Sequence, residues 1–392
     1  MINKYRITTP SSKKYFIISI ILLPILFQYA TLIPGLTIGD VFLLVSWLLM
    51  VRQPSTVRIK LSIVPLLLYI ILLTVVTWCD GLLIKPTTSL RYIAYLFVIM
   101  YVPSIYENRD YAYKVINIVG IAVMIVLFLQ YIVLMTTGII IPGLLTFLPL
   151  TDSSLQNYNE GFNIAGRCMS VFAEPSHYAI YILLFIAFRL FIKDGLSMKL
   201  MILPVLASLS LIFASSFTGL IGMVAVWGLK LFYEVKKGNV SFYLLFCFAL
   251  AIVGLLCITI MTSAGAYLTN SEIYDSQSMQ RFEGYYFIID NIERFNIKWL
   301  FGNGMNDIGE IEYLPGWPRL VYYFGVVGSL LYILSILRCV KKNTFSFVIL
   351  VLMAGLMIGT EINFGPFFLP YIMLLIISTH NLYLGTYYHE MH

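Results

Sequence analysis

Charge is what this sequence has least of. Asp, Glu, Lys and Arg make up 11% of its 392 residues, against roughly 25% in a soluble domain. With so few water-facing side chains, a soluble enzyme, a nucleic-acid binder and a disordered chain are all excluded. Histidine is scarce, at four residues, and the five cysteines (Cys79, Cys168, Cys247, Cys257, Cys339) are scattered without a C-x-x-C pair. That spacing supports neither a zinc site nor a disulfide framework. An internal repeat and a low-complexity tract are also missing. Apolar side chains are abundant instead: 60% of residues are hydrophobic and the mean hydropathy is +0.89. The class that remains is an all-α polytopic integral membrane protein.

A membrane helix needs about 20 mostly apolar residues. Twelve stretches qualify: 15–34, 37–51, 61–79, 88–106, 114–135, 176–192, 198–214, 217–234, 241–261, 317–338, 344–360 and 364–384. The first follows Lys4, Arg6, Lys13 and Lys14 with no convincing small-x-small site after it, which predicts an uncleaved anchor. With a cytoplasmic N-terminus and strict alternation, 18 of the 25 Lys and Arg residues fall inside, and 14 of the 19 acidic residues fall outside. Cations are held back on the cytoplasmic side during insertion, so the bias supports the count and predicts both termini in the cytoplasm. A Cys79–Cys168 bridge on the outer side is a minor alternative.

Two long outer segments result, 136–175 and 262–316. Long irregular segments in a compact protein usually carry function. The first ends in Arg167-Cys168-Met169-Ser170-Val171-Phe172-Ala173-Glu174-Pro175-Ser176-His177-Tyr178. Pro175 marks a helix start, with Glu174 at its cap, where a carboxylate suits the helix dipole. Two readings stand. In one, Arg167 and the helix N-terminus hold an anion, with Glu174 beside it as a base. In the other, Glu174 caps the helix and pairs with Arg167. His177, three residues on, is a packing residue by default, and two side chains are too few for a metal site.

The second segment predicts an amphipathic helix over 277–296, lying on the membrane surface or over the spans, with Met279, Phe282, Tyr285, Tyr286, Ile289 and Ile292 as its apolar stripe. Arg281 borders the stripe, as a snorkelling charge or as a ligand to an anion. The glycine-rich Gly302-Asn303-Gly304 is a turn that allows close backbone approach. Tyr322 and its aromatic neighbours suit an interfacial belt or sugar stacking. Arg91, inside an apolar stretch, is a functional hypothesis or an end-of-helix snorkel. The turn Thr360-Glu361-Ile362-Asn363-Phe364-Gly365 borders the same outer region.

Arg167-x-x-Ser170-x-Phe172-x-Glu174-Pro175-Ser176 resembles the segment before a span in Wzy-type polysaccharide polymerases of the O-antigen polymerase/ligase superfamily. Ser278-x-x-Arg281, Leu300-Phe301-Gly302-Asn303-Gly304 and Gly325-Val326-Val327-Gly328 resemble that family's second outer loop and following span. Where many relatives carry an Arg before the eighth span, this chain has Phe217. The ligase branch usually has a His before the tenth span, and 311–324 has none.

The resemblance implies a single GT-C-like membrane domain over 1–392 with about twelve helices, in the plasma membrane of a bacterium. It implies an undecaprenyl-diphosphate-dependent glycosyltransferase serving O-antigen, capsule or another envelope polysaccharide. Donor and acceptor would both be lipid-linked glycans. Membrane lipids, a chain-length regulator in some systems, and no nucleic acid complete the expected partners. Glu174, Arg167 and Arg281 would be catalytic. Ser170, Ser176, His177, Gly302, Asn303, Gly304 and Tyr322 would bind substrate. Neither metal nor other cofactor is expected, because arginines suit phosphate oxygens. A ligase of the same superfamily and a flippase of lipid-linked sugar are the competing expectations, and Asp152, Glu160 and Glu361 are alternative bases.

Overall fold

The structure is a computed structural model that describes residues 11–52, 57–81, 86–145, 147–159, 167–192, 198–238, 245, 248, 249, 252, 283–290, 297–306 and 313–378. The predicted ninth span, 241–261, and Arg281 lie largely or wholly outside these residues. Among the described residues the protein is helical, with two isolated antiparallel bridges, Tyr29–Leu150 and Ala30–Thr37, and no named strand.

In chain order the longer elements are α1 (Ser11–Leu26), α2 (Ile38–Val51), α3 (Val64–Cys79), α4 (Pro86–Tyr101) and α5 (Arg109–Thr137). After the short α6 (Asp152–Tyr158) come α7 (Pro175–Phe191), α8 (Met198–Phe213) and α9 (Phe217–Lys236). A one-turn α10 (Ile297–Phe301) precedes α11 (Gly316–Cys339), α12 (Thr344–Gly359) and α13 (Phe368–Ile377). Among the described residues four helical stretches are long and apolar enough to cross a membrane: Leu61–Cys79, Pro86–Thr137, Phe217–Lys236 and Gly316–Cys339. Shorter apolar helices pack among them. Their outer surfaces are apolar too: Ile118, Ile125, Leu129, Ile132 and Met135 form an exposed stripe on α5. A water-soluble protein rarely shows such a patch, and a lipid-facing helix must. The protein is therefore a helical, membrane-embedded one.

Helices that are apolar all round belong in the centre of a bundle. α7 is buried almost continuously from Tyr178 to Phe188, and α13 along its whole length. Small residues let neighbours approach α7 closely. Gly120 of α5 faces the Phe185 ring, and Gly219 and Gly222 of α9 face Ala179 and Leu183. Interhelical polar bonds pin these contacts: Ser19 to Ser46 at 2.6 Å between α1 and α2, Trp227 to Ser208 at 2.9 Å, and the Tyr371 hydroxyl to the Ile180 carbonyl at 2.7 Å.

Side chains predicted inside meet one another: Arg58 with Glu107, Lys341 with Tyr106, Lys14 with Tyr111. Those predicted outside also meet: Gln28 with Val171, Arg91 with Asp40, Thr77 with Gly304. The two bundle ends are named inner and outer accordingly. Predicted boundaries shift in two places. The first helix is Ser11–Leu26 rather than 15–34, because the chain beyond it turns to bond the outer segment through Ala30 N to Pro149 O and Thr151 N to Gln28 O. The fourth helix gives way at Pro103 to a 3-10 turn, Val102–Asn108, since proline cannot continue the ladder.

Candidate functional site

The outer end of the buried α7 gathers three of the predicted site residues. Glu174 is the N-cap residue, with extended φ of −149° and ψ of 142°, but its side chain makes no capping bond. Instead one carboxylate oxygen accepts from the Ser176 hydroxyl, and the other lies 3.7 Å from His177 Nε2. The carboxylate and imidazole are each about one-third exposed, at 37% and 34%, so the group opens to the outside. The His177 ring rests on Phe367, centroid to centroid 5.3 Å, and Phe172 supports the same ring at 6.2 Å.

Arg167 is not part of this group. The expected pair with Glu174 is not among the ion pairs of the described residues, where Glu174 meets His177. Arg167 is half-buried, and its Nε is buried without a hydrogen-bond acceptor. Burial pushes the thiol of neighbouring Cys168 up to about 11, so it stays protonated and unreactive at neutral pH. Cys79 and Cys168 are both free, without the bridge considered from sequence.

Ser170 serves the architecture. It is fully buried with φ of 56°, and its hydroxyl donates to Val123 O at 2.6 Å. Its amide donates to Gln130 Oε1 at 2.7 Å, and its carbonyl accepts from Gln130 Nε2 at 3.1 Å. Gln130 also donates to Ile141 O at 2.9 Å, so one buried amide on α5 clamps two strands of irregular chain. Sequence reading passed over Gln130. Its signal was a lone amide within an otherwise apolar span.

The second outer segment has a different geometry. α11 is broken at Gly325, with φ of 64° and ψ of −174°. The break frees carbonyls in apolar surroundings, where each must find a donor. Tyr322 O accepts from Asn303 N at 3.0 Å and from Asn303 Nδ2 at 3.2 Å, and Tyr323 O accepts from Gly304 N at 3.0 Å. The Tyr69 hydroxyl sits between Phe301 O at 2.5 Å and Phe324 O at 2.9 Å. Asn303 and Gly304 thus spend their backbone donors on the broken helix, and Gly302 N donates to Lys298 O of α10 at 2.6 Å. The Tyr322 ring is boxed by Phe287, Trp299 and Tyr323.

Residues 283–290 are helical, as predicted, with two of the three described residues of the apolar stripe exposed. Gly284 and Ile288 are buried, with Gly284 against Leu314 and Pro315, while Tyr286 and Ile289 of the predicted stripe are 65% and 54% exposed. Tyr285, the third described stripe residue, is half-buried and donates its hydroxyl to Ile358 O at 2.9 Å, so the edge of the stripe touches the bundle.

Two more outer charges are engaged. Arg91 donates to Asp40 at 3.0 Å and to the Gly35 carbonyl, and Tyr95 donates to the same carboxylate at 2.8 Å. Arg91 therefore ties α4 to the start of α2 rather than snorkelling. Arg319 on α11 pairs with Glu361 and donates to Leu314 O at 3.0 Å. Glu361, Phe364 and Phe367 share one turn, so an aromatic floor of Phe364, Phe367, Phe172 and Tyr323 runs between the Arg319–Glu361 pair and the Glu174–His177 pair. Among the described residues no three His, Cys, Asp or Glu side chains converge as a metal-ligand group. Compared with known proteins, the chain matches no family model, no curated protein and no solved structure.

Proposed function

We propose that this protein is a glycosyltransferase that polymerises lipid-linked glycan repeat units on the outer face of a bacterial plasma membrane. The observation that carries the reading is Glu174 itself. It stands at a helix cap without capping, open to the outside, with Ser176 and His177 on its oxygens, inside the run that resembles the polymerase family. In the proposed reaction an acceptor hydroxyl attacks the anomeric carbon of the donor. The new glycosidic C–O bond forms as the bond to undecaprenyl diphosphate breaks, and the diphosphate leaves with the electron pair.

Glu174 takes the hydroxyl proton, and His177 steadies the carboxylate. Arg167, whose Nε has no acceptor, together with Arg281 meets the developing charge on the leaving diphosphate. The lipid tails lie against the apolar helix faces. The same reading takes the whole chain as a GT-C-like bundle of twelve spans with both termini in the cytoplasm.

Two experiments test it. Deletion in the native host, with the surface polysaccharide run on a gel, separates the classes. A ladder collapsing to one repeat unit means polymerase, intact polymer that misses its acceptor means ligase, and units trapped inside mean flippase. Purified Glu174→Gln should fold and bind lipid-linked units, yet lose about 10²–10⁴-fold in turnover. Turnover equal to wild type would remove the base assignment.

A further inference from the structure

The inner end of the bundle holds a cavity of about 250 Å³ lined by Arg58, Lys60, Lys341 and Tyr106, with Ile59, Pro103 and Ile376 as its apolar wall. Three of its lining side chains are cations. Arg58 is neutralised by Glu107 at 2.6 Å. Lys60 and Lys341 have no carboxylate within ion-pair distance among the described residues. Lys341 and Arg109 lie on the Tyr106 ring at 5.6 Å and 5.4 Å, which holds two positive charges around one aromatic side chain. Asp110 approaches Arg109 at 3.9 Å and leaves the lysines unpaired. Cations that line one cavity and share one aromatic ring repel one another unless an anion joins them.

We infer that this cavity is a binding site for a phosphate monoester or diester, held by Lys60 and Lys341. Its volume falls just below the roughly 300–1,000 Å³ of small-molecule pockets, which suits a phosphate with a short carbon stem rather than a whole nucleotide. The apolar wall beside the cations is the arrangement expected where a lipid headgroup enters between helices. A soluble phosphorylated compound offers the same charge without an acyl chain. The site stands at the opposite end of the bundle from Glu174 and does not depend on the proposed reaction.

The test titrates purified full-length protein with phosphatidylglycerol and, separately, with inorganic pyrophosphate, followed by native mass spectrometry. Saturable binding of phosphatidylglycerol that pyrophosphate does not displace identifies a lipid phosphate. Saturable pyrophosphate binding that phosphatidylglycerol does not improve on identifies a soluble one. In either case Lys60→Gln with Lys341→Gln should weaken binding at least about tenfold, while the double Lys→Arg variant keeps most of it. Lys341→Gln alone, at an exposed position, should lose at least about threefold and serves if the double variant does not fold. Arg52→Gln with Lys236→Gln removes the same charge from exposed positions that do not line the cavity. Failure of both probes to bind wild type, or an equal loss in this charge-matched pair, overturns the site.

Discussion

The two outer segments meet the same difficulty by opposite means. Irregular chain beside a membrane bundle carries backbone N–H and C=O groups that lipid cannot satisfy. In the first segment, side chains of the bundle supply the partners. Gln130 reaches Ile141 and Ser170, and Gln28 donates to Val171 O at 3.0 Å. In the second, backbone bonds backbone at Tyr322 and Tyr323, with the Tyr69 hydroxyl and the Asn303 side chain added. Gly302 and Gly325 pack so closely that a Cβ on Gly325 would lie 2.4 Å from Gly302 N. The first solution tolerates many residues along the bound chain but depends on two amides. The second needs particular glycines and draws on few side chains, the Tyr69 hydroxyl and the Asn303 amide among them. The first also leads directly into Glu174, so the clamp and the candidate base share one piece of chain.

That contrast can be broken most severely at the glycines. Gly325→Ala puts a side chain into a backbone region open essentially to glycine alone and against Leu300 O at 2.5 Å. It should cost about 4 kcal/mol or more, seen as loss of the monodisperse peak in detergent; near-normal yield would mean α11 is not broken there. Gln130→Leu should cost about 2–4 kcal/mol, because the buried amide and carbonyl of Ser170 lose their shared partner. Thermal unfolding in detergent measures it, and an unchanged midpoint would dissolve the clamp.

Tyr69→Phe removes one hydroxyl while the glycine contacts remain, so about 1 kcal/mol is expected in the same measurement. A loss as large as that of Gly325→Ala would show that the side chain, not the backbone, secures the second segment. The smallest difference lies on the 283–290 helix. Ile288→Ser should cost about 1–2 kcal/mol and Ile289→Ser under about 0.5 kcal/mol. The reverse order would make the predicted stripe the packed face.

Composition and hydropathy determined the class of this protein, since a chain with 11% charged and 60% hydrophobic residues has too few water-facing side chains for a soluble domain and suits a membrane bundle. The helical membrane class and the helix start at Pro175 were equally legible, because hydropathy and proline act locally, whereas the break after Tyr101 near Pro103 was missed inside the expected span 88–106. The alternation of Lys and Arg likewise foretold which segments would share a bundle end. What only tertiary structure decided were the partners of polar groups. His177 stands against Glu174 locally, three residues on at the start of α7, but nothing local pairs Arg91 with Asp40, 51 residues away. Nor does a glycine-rich turn declare whether its N–H groups face a ligand or the carbonyls of a broken helix, which here are those of Tyr322 and Tyr323. Hydrophobic burial follows from a residue's own chemistry, whereas a hydrogen bond needs a second group brought from elsewhere in the chain, and only the packed bundle brings it.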